Sequence, residues 1–317
     1  MKIAILDDYQ NAALDHADWR RLPQDTELVV VNRNIPDPDE LVAEIGDVDV
    51  LCVMRERTPI SSALIGRLPG LKLIVTTGMW NAAIDMDAAA ARGILVCGTE
   101  GPGHPTAELT FTLLLMLARR MPQQMAALSG GGWQPQEIGH SLSGRTLGLI
   151  GLGKLGARVA GYAQAFGMNV LAWSANLTNS RAAEVGVKRV SFEDLLARSD
   201  HVSIHVRLSE RTEGLLDGRA IGRMKQGATL INTSRGPIVD VPAMIAALES
   251  GALAGAGIDV YSHEPLPADD PIRKAPNLIL TPHVGYVTDD TWQMFHEMML
   301  EDIQGFLNGN PVRVIGG

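Results

Sequence analysis

The sequence predicts an α/β protein made of two doubly wound, parallel-sheet domains. Three observations predict it. Short apolar runs alternate with helical patterns along the chain, four of the later runs are apolar almost without interruption, and a glycine-rich segment lies between one run and a helix. Alternating strand and helix patterns imply crossover connections, and strands that are apolar throughout are those covered by helices on both faces. With 317 residues, 46% of them hydrophobic, the chain is long enough for two cores.

The elements follow in order. Ile3–Leu6, Leu28–Val31, Val50–Met54 and Leu73–Thr76 read as the strands of a first sheet. Gly98-Thr99-Glu100-Gly101-Pro102-Gly103 is turn-rich and marks a domain boundary. A helix then runs from about Thr106 to Met121, and its apolar stretch Phe111–Ala118 marks it as buried. Ser129-Gly130-Gly131-Gly132 reads as a flexible surface connector. A second sheet comprises Thr146–Ile150, Val170–Trp173, Val202–Val206, Thr229–Asn232, Ala256–Val260 and Leu278–Thr281. The next boundary lies near Gly285. Beyond it, Asp289 or Asp290 would cap a final helix whose residues Trp292, Phe295, Met299, Ile303 and Phe306 recur at helical spacing, a stripe for core packing. If that helix returns to the first sheet, residues 1–100 plus 286–317 form one discontinuous domain around residues 101–285, and an interdomain cleft is the default ligand site.

Composition excludes several classes of partner. A formal net charge of -9 and a pI near 5.4 give no basic field for nucleic acid or an anionic membrane. The first apolar run is too short for a signal-peptide core, and Phe111–Ala118 falls well short of the ~20 apolar residues of a membrane span. Cys52 and Cys97, the only cysteines, both lie in strand-like runs, which fits a reducing cytoplasm and no disulfide framework. The eight histidines show no H-E-x-x-H spacing, so no metal is expected. The expected partner is a small metabolite.

Gly151-Leu152-Gly153-Lys154-Leu155-Gly156 follows a strand pattern and opens a helical one. In that context Gly151 permits a tight turn, Gly153 lets backbone approach a pyrophosphate, and Gly156 allows close helix-to-strand packing. The second domain is therefore expected to be a Rossmann-like dinucleotide-binding domain. Such sites place an Asp or Glu about 20 residues on, at the end of the next strand, to hold the ribose hydroxyls. Here that place reads Trp173-Ser174-Ala175-Asn176-Leu177-Thr178, with no acid. No carboxylate repels a 2'-phosphate, and Ser174, Asn176 and Thr178 could hydrogen-bond one, yet the nearest downstream cation is Arg181. Both NAD and NADP stay open.

Three further motifs place a charged or titratable group just past an apolar run, where ligands bind in open α/β sheets. They are Ile231-Asn232-Thr233-Ser234-Arg235-Gly236, Gly257 through Pro265, and Thr281-Pro282-His283-Val284-Gly285. Singly, Arg235, Glu264 and His283 suit a surface ion pair, a solvated carboxylate and a loop histidine. In this order behind a dinucleotide fingerprint, they resemble the D-isomer-specific 2-hydroxyacid dehydrogenase family. The resemblance spans nearly the whole chain, with supporting stretches at Gly93–Val96, Ala107–Thr110, Phe166–Val170 and His205–Leu215.

The resemblance implies an oxidoreductase that transfers a hydride between NAD(P)H and C2 of a small 2-oxo or D-2-hydroxy acid such as glyoxylate or hydroxypyruvate. It implies Arg235 as the substrate clamp, since a planar guanidinium donates two hydrogen bonds at once to a carboxylate. His283 becomes the proton donor and acceptor, and Glu264 the group that orients it and holds it protonated. Lys154 and Leu155 would offer amides to the pyrophosphate, and Asp259 would contact the nicotinamide carboxamide. Thr106, His205, Thr233 and Ser234 would line the cofactor site. Gly78, Met79 and Trp80, within Thr77–Asn81, would meet the substrate carboxylate. A homodimer is also implied, with the helix Thr106–Met121 as its contact.

The chain departs from the family pattern at Trp80, where a small Gly is common, at Ala82 and Ala83, at Arg207 in place of Pro, and at Tyr286. These changes bear on substrate identity. His104 and His263 are near the motifs but are not assigned catalytic roles. A dinucleotide-sensing binding protein, like the co-repressors on this fold, is the rival from another class. Formate dehydrogenases typically carry Gln where Glu264 stands, and many phosphoglycerate dehydrogenases carry a regulatory C-terminal domain not recognised here.

Overall fold

The computed structural model describes residues 1–316. The chain divides into two compact units, one of Met1–Pro102 together with the residues from Val287 onward, the other of Gly103–Tyr286. Both have the doubly wound parallel architecture read from the sequence.

In the first unit, strands β1 (Lys2–Ile5), β2 (Glu27–Val30), β3 (Val50–Val53), β4 (Leu73–Thr76) and β5 (Leu95–Gly98) form a sheet of order β2-β1-β3-β4-β5. All its pairings are parallel. Helices α1 (Pro38–Ile45), α2 (Ser62–Gly66) and α3 (Met86–Ala91) connect the strands. Each is capped by the side chain just before it: Asp37, Ser61 and Asp85 accept from first-turn amides. One face of the sheet packs under α1 to α3 through Ala4, Leu51, Ile74, Leu41, Ile45, Leu64 and Ala89.

The second unit opens with α4 (His104–Ala118) and α5 (Met121–Ser129). Its strands are β6 (Thr146–Ile150), β7 (Asn169–Trp173), β8 (Lys188–Arg189), β9 (His201–Ile204), β10 (Ala228–Asn232), β11 (Leu253–Ile258) and β12 (Leu278–Leu280). They lie in the order β12-β11-β10-β9-β6-β7-β8, again with parallel pairing. Helix α6 (Lys154–Ala165) packs with α4 on one face through Val159, Ala160, Ala163, Leu114 and Leu117. Helices α7 (Asn179–Glu184), α8 (Phe192–Arg198), α9 (Gly218–Ile221) and α10 (Val241–Glu249) complete the crossovers. Strand order reverses between β6 and β9, and the carboxyl ends beside that switch point are where such sheets bind ligands.

The last helix, α11 (Asp289–Leu307), belongs to the first unit. Its Met299, Leu300 and Ile303 pack on Ile3, Ile5, Val50, Cys52 and Val75, so the stripe read from the sequence is core packing. Its cap is Thr288, whose hydroxyl accepts from Thr291 N, not Asp289 or Asp290. Those two acids occupy the first turn, where they complement the helix dipole.

The helix expected over Thr106–Met121 is two helices. Arg120 adopts a left-handed φ of +52° and Pro122 sits in the first turn of the second. Most of the apolar side chains of α4 are buried inside their own unit, Phe111, Leu113, Leu114 and Leu117 among them. Exposed apolar side chains in this stretch of the chain fall on α5, which buries none of its residues, and just beyond it, Met125, Leu128, Trp133 and Ile138 among them. Among the described residues, no helix is long and apolar enough to cross a membrane.

Candidate active site

The site builds up from the carboxyl ends of the second unit's strands. Past β6, Gly151 takes φ +106°, and a Cβ there would stand 2.6 Å from the His205 carbonyl oxygen. A Cβ on Gly156 would run into the Gly151 carbonyl oxygen. Gly153 is different: nothing lies within 4 Å of its Cβ position, and it caps α6 with no side-chain hydrogen bond. The amides that open the twelve-residue α6 thus have no side-chain cap and face an open approach, an arrangement suited to an anion.

Two neighbouring strand ends flank this turn. Just past β7, at the strand end expected for it, Ser174 is half-buried, with Asn176 and Thr178 exposed beyond. Thr178 caps α7 by accepting from Arg181 N, and Arg181 pairs with Glu184 at 3.0 Å. Past β9, His205 Nε2 meets Ser203 Oγ at 3.0 Å, while Nδ1 is buried without a partner. Burial pushes the imidazole down to about 4, so it is neutral near pH 7. An orphaned polar atom beside a glycine cradle that opens at Gly153 fits a dinucleotide with polar groups of its own.

Past β10, buried Asn232 folds the chain over itself: its Nδ2 donates to Arg235 O at 3.0 Å and its Oδ1 accepts from Ser234 N at 3.0 Å. Ser234 Oγ donates to Val206 O, and Thr233 Oγ1 shares a hydrogen bond of 2.7 Å with Thr110 on α4. Arg235 Nη1 donates to Ser234 O at 2.7 Å. Gly236 is required here, because a Cβ would collide with the backbone of Tyr261 and Ser262.

Past β11 and β12 lies the titratable core. His283 Nδ1 and Glu264 Oε2 are 2.6 Å apart, with side chains 17% and 23% exposed, enough shielding to strengthen their interaction yet leave access. Tyr261 N holds the other oxygen of Glu264 at 2.8 Å. Burial works against the charge of Glu264, but the hydrogen bond and charge of His283, the Tyr261 amide and Arg235 hold it below the usual carboxylate range. With Nδ1 engaged, Nε2 is the nitrogen of His283 left to exchange a proton with a ligand.

Asp259 holds the loop that carries His283. Its Oδ1 accepts from Thr281 Oγ1 at 2.6 Å and Val284 N at 2.9 Å, and its Oδ2 from Gly285 N at 2.9 Å. Burial raises its proton affinity while these bonds oppose the shift. His283 itself takes a left-handed φ of +53°, the kind of backbone that persists only where surroundings over-determine it. Tyr286 stands edge-on to the imidazole, centroids 5.6 Å apart. Thr106 lies against the Gly285 position.

The structure therefore brings Thr106, Gly151, Gly153, Gly156, Ser174, His205, Thr233, Ser234, Arg235, Asp259, Glu264 and His283 to one edge of one sheet. His104 opens α4, and His263 is exposed in the turn before Glu264. Among the described residues, no group of three or more His, Cys, Asp or Glu side chains is placed to hold a metal ion.

The first unit presents its own loop at the end of β4. Gly78 takes φ +88°, its amide donates to Thr99 Oγ1 at 3.0 Å, and the Arg55 guanidinium packs where a Cβ would be. Met79 and Trp80 are exposed, whereas Asn81 is buried and clamps the loop, donating to Arg55 O and Thr76 Oγ1. Arg55 and Arg57, just past β3, were not singled out by the sequence reading. Arg57 lies over the Tyr9 ring at 4.7 Å and donates to Asp7 O. Their signal was the one used elsewhere, a charge directly after an apolar run.

A parallel sheet with a glycine cradle at its switch point, and a carboxylate-imidazole pair along the same edge, define an oxidoreductase of the Rossmann type. The model of the D-isomer-specific 2-hydroxyacid dehydrogenase NAD-binding domain matches residues 111–285. A glyoxylate reductase of Korarchaeum cryptofilum is 35% identical over 92% of this chain and 86% of its own length. A D-3-phosphoglycerate dehydrogenase of Bacillus subtilis is 35% identical over 90% of this chain but only 54% of its own, so the chain spans about half of that relative. A crystal structure of a phosphoglycerate oxidoreductase from Vibrio cholerae superposes with a TM-score of 0.92 at 34% identity, covering 98% of this chain and 99% of that one. The chain belongs to the D-isomer-specific 2-hydroxyacid dehydrogenase family, and it is an NAD-dependent dehydrogenase.

Proposed function

We propose that this protein reduces a small 2-oxo acid, glyoxylate, hydroxypyruvate or one of similar size, to the D-2-hydroxy acid. The observation that carries the reading is the 2.6 Å pairing of His283 with Glu264 on the same sheet edge as the glycine cradle. The backbone at Gly151, Gly153, Lys154, Leu155 and Gly156 would hold the cofactor's pyrophosphate, with Thr106, Ser174, His205, Thr233, Ser234 and Asp259 around the rest. When bound, the reduced nicotinamide supplies a hydride to C2 of the substrate. Arg235 binds the substrate carboxylate with its fork of donors and polarises the 2-oxo group. His283 donates the Nε2 proton to the carbonyl oxygen as negative charge develops there, and takes it back in the reverse direction. Glu264 stabilises the imidazolium before transfer and fixes its orientation.

Residues Gly78, Met79 and Trp80 of the first unit are proposed to bind substrate, which makes that unit the substrate-binding domain, 1–100 plus 286–317, beside a dinucleotide-binding domain of 101–285. Ser174 in place of an acid leaves the ribose position tolerant of a 2'-phosphate, so NADPH is proposed as a cofactor alongside NADH. A homodimer is proposed, with its contact moved from the expected helix Thr106–Met121, most of whose apolar side chains are buried, to the exposed Met125, Leu128, Trp133 and Ile138.

The test is a panel of 2-oxo acids assayed with both reduced cofactors. Rapid oxidation of NADH or NADPH with glyoxylate or hydroxypyruvate, giving the D product where C2 becomes chiral, is expected. Tight cofactor binding with no turnover of any 2-oxo acid would overturn the reading in favour of a dinucleotide-sensing protein.

A further inference from the structure

After α11 the chain turns back along the first unit's sheet. Arg313 adopts a left-handed φ of +49° and is held at three points on α11: Nε donates to Asp302 Oδ1 at 3.0 Å, Nη2 to Met298 O at 2.9 Å, and Nη1 pairs with Glu301 Oε2 at 3.0 Å. Asp302 is fully buried, and Arg313 is its ion-pair partner. Three contacts from one guanidinium fix this residue to α11 and so anchor the segment that follows.

That segment adds an antiparallel edge to β5. Gly98 N donates to Arg313 O at 3.0 Å, Ile315 N donates to Val96 O at 2.8 Å, and Val314 pairs with Cys97. The tail reaches the substrate loop through a contact that only glycine permits. A Cβ on Gly98 would stand 2.6 Å from Ile315 Cδ1 and 2.5 Å from the Gly78 carbonyl oxygen, so Gly98 lies pressed between the tail and the loop. The next residue, buried Thr99, accepts the Gly78 amide at 3.0 Å and donates its own amide to Thr76 O. The left-handed turn at Gly78 is thus built on Gly98 and Thr99, and these are built on the tail.

We propose that Arg313–Ile315 is a positioning element for the reaction. By pinning the end of β5, it holds the Gly78 turn in the shape that receives the substrate carboxylate, a role that rests on the substrate-loop reading above. Arg313 and Ile315 act through Gly98, Thr99 and Gly78. Loosening the tail should weaken substrate binding while leaving the second unit's cofactor cradle and the His283–Glu264 pair as they are.

Two variants test this. Ile315→Ala removes the contact on Gly98 and keeps the anchor. Arg313→Gln combined with Asp302→Asn releases the anchor without leaving a buried charge unpaired. For each, hydrogen exchange of the 76–82 segment is measured beside that of 146–173, together with NADH affinity, kcat, and KM for the 2-oxo acid that the wild type uses best. The expected result is exchange of the Gly78 region at least fivefold faster with 146–173 unchanged, KM raised at least fivefold, and kcat and NADH affinity within twofold. Folded variants with unchanged exchange at 76–82 would overturn the proposal, as would faster exchange with an unchanged KM or a fall confined to kcat. A wild-type chain inert toward every 2-oxo acid would overturn the proposed function, and with it the substrate role of the tail. That outcome is distinguishable, because exchange in the loop would still answer to the tail variants.

Discussion

Glu264→Gln keeps the shape of the side chain and an oxygen for the His283 hydrogen bond but removes its charge. The two groups are 2.6 Å apart and mostly screened from solvent. His283 helps hold the Glu264 carboxyl below the ordinary carboxylate range, so their hydrogen bond joins charged partners. Such a bond contributes about 1.5–3 kcal/mol against about 1 kcal/mol between neutral groups, so the neutral Gln should lose about 1–2 kcal/mol, roughly 5- to 30-fold in kcat/KM for reduction, on the alkaline side of the profile and little on the acid side. The alkaline limb of reduction should move to lower pH, and oxidation of the hydroxy acid should extend into acid. The assay is kcat/KM against pH in both directions, with cofactor saturating and conditions chosen so that chemistry limits the rate. Superimposable profiles for wild type and variant, or limbs that move in opposite directions, would refute the pairing as a catalytic one.

Further outcomes follow from the same geometry. Arg235→Lys keeps the charge but loses the paired donors, and should cost at least about 3 kcal/mol in transition-state binding, more than 100-fold in kcat/KM; kinetics within threefold of wild type would remove Arg235 from the site. Gly156→Ala forces a Cβ onto the Gly151 carbonyl and should destabilise the fold by about 1–3 kcal/mol, whereas Gly153→Ala, entering open space, should leave stability within about 1 kcal/mol and weaken NADH binding at least tenfold. Thermal melts and cofactor titrations separate the two, and normal NADH affinity in a folded Gly153→Ala protein would place the pyrophosphate elsewhere. Ser174→Asp should shift the ratio of kcat/KM values toward NADH at least tenfold, since the new carboxylate accepts ribose hydroxyls and repels a 2'-phosphate; equal effects on both cofactors would mean Ser174 does not face the ribose.

Much of this was legible in the sequence because periodicity reports burial. Runs such as Leu73–Thr76 and Thr229–Asn232 are covered on both faces, and their apolar character says so directly. The glycine cradle was legible for the same kind of reason, since Gly151 and Gly156 are imposed by backbone approach that no other residue allows. Elements defined by partners rather than by their own composition were not. Lys188–Arg189 is an exposed, charged pair of residues that becomes β8 only by lying beside β7, and Leu95–Gly98, although Cys97 sits in a strand-like run, is not counted among the first sheet's strands in the sequence because the turn begins at Gly98. The break at Arg120 carried a signal in Pro122, a residue suited to a first helical turn. Thr288 preceded two acids that look like caps, and only the geometry shows which oxygen reaches the amide. Within the site, residue types and order pointed to Arg235, Glu264 and His283, but not to the grip of Asp259 on the His283 loop. That arrangement depends on register across two strands and a turn.

The most direct measurement of the central claim is the single-turnover rate of reduced-cofactor oxidation on glyoxylate by wild type and His283→Asn, with NADH affinity measured in parallel. Asparagine can hydrogen-bond but cannot deliver a proton at neutral pH. The variant's rate should be lower by about 10²- to 10⁴-fold, the span for loss of a positioned general acid, with NADH affinity within twofold of wild type. A variant that turns over glyoxylate within threefold of the wild-type rate would contradict that claim.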